Sequence, residues 1–123
     1  MRLARFYSEE VLAKTMPLYC IQVGYTPERV AELVRRPQDR LVSVKGVAER
    51  LGGKVVGGWI QLSEYDVMLI VEMADIIDAA AMSMAFYAGG AIKAIKTTPL
   101  LTIDEAMQAT QRAAKTGYAP PST

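Results

Sequence analysis

From Leu18 to Tyr25 the side chains alternate with a period of two: Tyr19, Ile21, Val23 and Tyr25 fall on one side, Leu18, Cys20, Gln22 and Gly24 on the other. That period predicts a strand. Thr26-Pro27-Glu28 then reads as a helix start, with a hydroxyl N-cap, proline in the first turn and an acid beside it. Val30, Leu33 and Val34 give the 3,4 spacing of a helical apolar stripe. Pro37 lacks an amide hydrogen and disfavours helical geometry at Arg36, so the helix must break or restart there. The stripe resumes at Leu41, Val44, Val47, Ala48 and Leu51 and stops at Gly52-Gly53.

Residues 54–62 predict a second strand, weakened or bulged at Gly57-Gly58, and 65–72 a third, joined through Ser63-Glu64 as a hairpin. In the third, Tyr65, Val67, Leu69 and Val71 oppose Asp66, Met68, Ile70 and Glu72. Asp75 caps a helix from about Ile76 to Ala88, with Gly89-Gly90 beyond it. This helix is apolar nearly all round, and one sheet face covers only one stripe, so a second cover is expected from the last helix or another subunit. A fourth strand follows over 92–98. Thr102-Ile103-Asp104-Glu105 forms a capping box for a last helix to about Lys115.

The order β-α-β-β-α-β with a terminal helix resembles the ferredoxin-like plan, an α+β fold with an antiparallel sheet and both crossover helices on one face. The other face carries Trp59 or its neighbours, Met68 and Ile70, and is expected to pair with that of a second copy. Residues 1–15, with Ser8 as the N-cap of one short amphipathic helix, form an appendage; 16–118 is the domain and 119–123 the tail.

Composition narrows the function classes. Fourteen bases against thirteen acids leave a net charge of +1, so no global field draws in nucleic acid or anionic lipid. Arg29, Arg35, Arg36, Arg40, Lys45 and Arg50 alternate with Glu28, Glu32, Asp39 and Glu49, as on a solvated helix face. The apolar runs 67–71 and 76–90 are too short to span a bilayer, and the second is broken by Asp78. Arg2 and Arg5 are followed by Ser8-Glu9-Glu10 where a secretory leader would be apolar. Such a chain is expected to be cytoplasmic, with no membrane, nucleic-acid or cofactor partner.

Candidate chemistry is sparse. Histidine is absent, and Cys20, the single cysteine, has no histidine to activate it and reads as a structural thiol. Lys93 and Lys96, three apart in a strand, point to opposite faces and do not cooperate. Glu64, Asp66, Glu72, Asp75 and Asp78 have no known metal-ligand spacing, so no metal is expected. Asp66 has two readings: a general base if it faces an enclosed space, or an acceptor for backbone amides of the hairpin. The candidate pocket groups Gln22, Trp59, Gln61, Asp66 and Met68, an apolar surface with a few amides.

The run Leu62-Ser63-Glu64-Tyr65-Asp66-Val67, followed by Ile70-Val71-Glu72 and Asp75, resembles the GYD domain family. So do the run from Gly89 through Thr102, Tyr25-Thr26-Pro27, Pro37-Gln38-Asp39-Arg40 and Leu51-Gly52-Gly53-Lys54. The likeness covers about residues 16–118. Ser63 departs from it, standing where the family's glycine is expected ahead of Tyr65-Asp66. The resemblance implies a dimeric α+β barrel, an architecture shared with cofactor-independent monooxygenases, lactone isomerases and haem proteins. It implies no particular activity and transfers no catalytic residue. A homo-oligomeric domain binding a small apolar or aromatic ligand in the barrel is the leading expectation. The alternatives are a cofactor-independent enzyme of monooxygenase or isomerase type, and a purely structural assembly.

Overall fold

In the computed structural model, which describes residues 16–122, the alternating segment is strand β1, Leu18–Tyr25. Thr26 accepts the Arg29 amide and opens α1, Pro27–Arg35. Pro37 separates this helix from α2, Leu41–Arg50, where Asp39 Oδ1 accepts the Leu41 amide at 3.0 Å. Gly52, at φ 78°, turns the chain out of α2 in the left-handed conformation that a side chain resists. Strands β2 (Lys54–Ile60) and β3 (Val67–Glu72) follow. Helix α3 (Ile76–Ala88) begins with Asp75 accepting the Asp78 amide. Strand β4 is Ile92–Leu100, and α4 is Ile103–Ala114 behind a complete Thr102/Glu105 capping box. The appendage expected over residues 1–15 lies outside the described residues.

All pairings are antiparallel and the strand order is β2-β3-β1-β4, the ferredoxin-like arrangement expected from the element order. Three boundaries differ from expectation. The second strand ends at Ile60 and the third begins at Val67, so residues 61–66 connect the hairpin in place of a two-residue joint. The reason is local. Ser63 Oγ accepts the Tyr65 amide at 3.3 Å and donates to the Tyr65 carbonyl at 3.2 Å, diverting backbone groups from the ladder. Ser63 does this without positive φ, since none of the described non-glycine residues has one. The fourth strand runs on to Leu100 through Pro99, which an edge strand tolerates because its outer side donates to nothing. The β2 bulge falls between Val55 and Gly57.

The core lies between the sheet and the helices. Ile21, Leu69, Val71, Met73 and Met82 are fully buried there, with Ala48 and Ala79 beneath the two crossover helices. Helices α1 and α4 bury none of their residues. The last helix does not cover α3, which leaves Ile77, Met84 and Tyr87 exposed.

Tyr19 is almost completely buried, and burial pushes its phenol upward from the ordinary 10.0, with Asp75 and Asp78 adding to the shift. The unfolded chain then loses this proton at a lower pH than the folded one. Above about pH 10 the unfolded state binds fewer protons, so stability falls as pH rises through the folded value. Urea denaturation of Tyr19→Phe against the parent at pH 8 and pH 11 is expected to show a smaller alkaline loss in the variant.

Candidate functional site

Cross-strand register assigns the open face of the sheet. One row runs Trp59–Met68–Gln22–Lys96 across the four strands, a second Gly57–Ile70–Cys20–Thr98, and a third Lys54–Glu72–Leu18–Leu100. Residues directly opposite one another share a face, so these side chains all stand on the side away from the crossover helices. The middle of the face is apolar and thiol-bearing, whereas Lys54, Glu72 and Lys96 lie toward its margin. Gln22 Nε2 donates to Gln61 Oε1 at 3.3 Å, which draws Gln61 to the same side although it lies beyond β2. The Trp59 indole folds back over Gly57, where an added Cβ would meet its ring at 2.8 Å, and remains 54% exposed. Gln22, Gln61, Trp59 and Met68 therefore come together on one surface.

Asp66 is placed differently. It sits at the mouth of β3, where Oδ2 accepts the Tyr25 amide at 2.8 Å. Its own amide donates to the Val23 carbonyl, and its carbonyl accepts from the Gln61 amide, each at 2.8 Å. The residue thus ties the end of β1 to the ends of β2 and β3. The amide its side chain serves belongs to the neighbouring strand and not to the hairpin.

Cys20 lies centrally in the open face, half-buried, and burial raises its thiol above the ordinary 9.0 while Lys96 opposes that shift. A raised thiol is a poorer source of thiolate, which suits packing better than nucleophilic work. Lys96 shares the open face with Gln22, whereas Lys93 borders a groove beside Ser83, Met84 and Tyr87 of α3. Both lysines are exposed. Among the described residues, no three of Cys, Asp and Glu are grouped to hold a metal ion, and no helix is long and apolar enough to cross a membrane.

A space better walled than the Lys93 groove lies on the other side of the sheet. A cavity of 480 Å³ lies between the helix-bearing face and helices α2 and α3. Leu41, Val44 and Val47 wall it from α2, Phe86 from α3, and Val23, Leu69 and Ile92 from the strands. Gly58, Ala85, Gly89 and Ala91 also border it, and Gly58 lets Leu41 and Leu69 pack where its own Cβ would stand, at 2.7 and 2.9 Å. Of the five candidate pocket residues only Trp59 borders this cavity. Arg40, read from sequence as part of a solvated face, lies half-buried in its wall. The available signal was the Pro37 break, which restarts α2 at Arg40-Leu41 and aims the resumed stripe at the glycine-bearing strand. The alternation of charges hid it.

Comparison with solved structures shows the same fold elsewhere. A crystal structure of an AsnC family transcriptional regulator from Agrobacterium tumefaciens is similar with a TM-score of 0.50, over 82% of this chain and 68% of that one. At 15% identity the likeness is one of fold alone. No match is found among proteins of curated function. The model of the GYD domain matches residues 19–110, the whole stretch from β1 into α4. By that match over most of its length, together with the sheet order and the Tyr65-Asp66 corner, the chain belongs to the GYD domain family.

Proposed function

We propose that this chain is a self-associating, ligand-binding domain whose open sheet face pairs with that of a second copy. Two such faces enclose a space, as in a dimeric α+β barrel, and a small apolar or aromatic molecule lies between them. The observation that carries this reading is the Trp59–Met68–Gln22 row with its Gln22–Gln61 hydrogen bond. It sets an aromatic and a thioether beside two amides on an uncovered surface, the composition of small-molecule sites. An apolar centre with charges toward the margin is also the anatomy of a protein interface. In this reading Asp66 holds the corner of the face through the Tyr25 amide. The candidate general base of a cofactor-independent enzyme, the Asp66 carboxylate, already accepts the Tyr25 amide at this corner. That favours binding over turnover.

Sedimentation velocity at micromolar concentration is expected to give a dimer or larger species. Ile70→Lys places an uncompensated charge at the centre of the face and should weaken association by about a hundredfold or more, with the circular dichroism spectrum unchanged. Trp59 is the only tryptophan, so its fluorescence reports the site directly. Titration with 1-naphthol should quench it, and joint Gln22→Ala and Gln61→Ala replacement should weaken that binding by about fivefold. A parent protein that sediments as a monomer throughout, or a Trp59 signal indifferent to 1-naphthol, overturns the reading.

A further inference from the structure

The geometry points to a second binding site, independent of the open face: we propose that the cavity beneath α2 and α3 takes an apolar monocarboxylate, with Arg40 receiving the carboxylate. The volume of 480 Å³ lies within the range of about 300–1,000 Å³ usual for small-molecule sites. Its walls are largely aliphatic and aromatic side chains held on two helices and four strands, so the space is preformed. Apolar walls of this kind select an apolar body, while the charge in the wall selects its head group.

Among the described residues, Arg40 is the only basic one bordering the cavity. Its Nη1 donates to Gln38 Oε1 at 3.3 Å, and its Nε is buried with no acceptor. A carboxylate is the group whose geometry matches the guanidinium fork, and a guanidinium set in a largely apolar wall favours an anionic partner. The neighbouring acid, Asp39, accepts the Leu41 amide at the start of α2 through Oδ1, and no ion pair joins it to Arg40. Arg40 also occupies the N-cap of α2 and gives no side-chain hydrogen bond to it, so the positive end of that helix adds to the field at the same wall. One guanidinium suits a single negative charge, and a phosphate dianion would find too few donors in this wall.

Isothermal titration with decanoate and decan-1-ol, both below their aggregation thresholds, tests the proposal. Decanoate should bind at least about tenfold more tightly than the alcohol, the ratio expected of a charge-assisted hydrogen bond. Arg40→Gln should reduce decanoate to the affinity of the alcohol and leave the alcohol unchanged. Val44→Trp, which fills the cavity, should abolish both. Gln22→Ala and Ile70→Lys, on the opposite face, should leave decanoate binding intact, so this site stands or falls separately from the sheet-face reading. Equal affinities for acid and alcohol, an Arg40→Gln variant indistinguishable from the parent, or no binding of either probe overturns the proposal. So does loss of decanoate binding in Gln22→Ala, which would place the molecule between the sheets. Should Val44→Trp not fold, Arg40→Gln with an unchanged circular dichroism spectrum decides the matter.

Discussion

Replacement of Gly53 by alanine is expected to lower the folding stability by about 3 kcal/mol, among the largest effects available to a single added methyl group. Gly53 leads from α2 into β2, and its amide donates to the Ala48 carbonyl at 2.8 Å. A Cβ there would overlap Met73 Sδ and stand 2.5 Å from the Glu72 carbonyl oxygen. Neither neighbour yields easily. Met73 is fully buried, and its amide is fixed to the Pro17 carbonyl at 3.0 Å, while Glu72 closes the third strand. The adjacent Gly52 makes the useful comparison. Its φ of 78° resists a side chain, but no atom lies within 4 Å of an added Cβ. Gly52→Ala should therefore cost only the left-handed penalty of about 1 kcal/mol. Thermal denaturation is expected to separate the two, with Gly53→Ala melting more than about 10 °C below the parent. Equal losses would mean that the close approach of β3 relaxes at no cost.

Most of the fold was legible because its signals are local. Thr26-Pro27, Asp75 and Thr102/Glu105 each announce a helix start through a side chain that satisfies a nearby amide, and all three do so in the structure. The period of two in β1 and β3 distinguished core face from open face because only one of those faces is packed by helices. The hairpin connection was less legible. Two residues are enough to turn a chain, and nothing in the alternation shows that Ser63 will take the backbone of Tyr65 out of the ladder. The row of Gln22, Met68 and Trp59 depends on pairing register across three strands, and the bulge between Val55 and Gly57 shifts which β2 residues face which way. The cavity beneath the helices was beyond a reading along the chain altogether. Its walls come from segments 23–92, and its volume is what α2 and α3 leave open against the sheet. Arg40 shows the same limit in one residue: charge periodicity marks it as solvated, while the turn after Pro37 carries it into the wall.

Helix α3 offers a matched pair of substitutions in which chemistry is held constant and only surroundings differ. Met82 has no exposed surface, whereas Met84, two residues further on and on a different side of the helix, is 70% exposed. Met82→Ala removes a side chain that packs beneath the sheet beside Ala79 and is expected to cost about 3 kcal/mol, the transfer term together with the space left behind. Met84→Ala removes the same atoms from a surface that the chain itself leaves open and should change monomer stability by no more than about 0.5 kcal/mol. That small value is conditional on α3 keeping its outer face in water. Ile76, Ile77, Met84 and Tyr87 are all exposed on this helix, more apolar surface than a monomer usually shows in one place. If association covers them, Met84→Ala should destabilise in proportion to the fraction assembled, and its effect should grow with protein concentration. Urea titrations of both variants at two protein concentrations read this out. A loss that is concentration-independent for Met82→Ala and concentration-dependent for Met84→Ala would show that assembly uses the outer side of α3 as well as the open sheet face. A small, constant loss for Met84→Ala would confine association to the sheet.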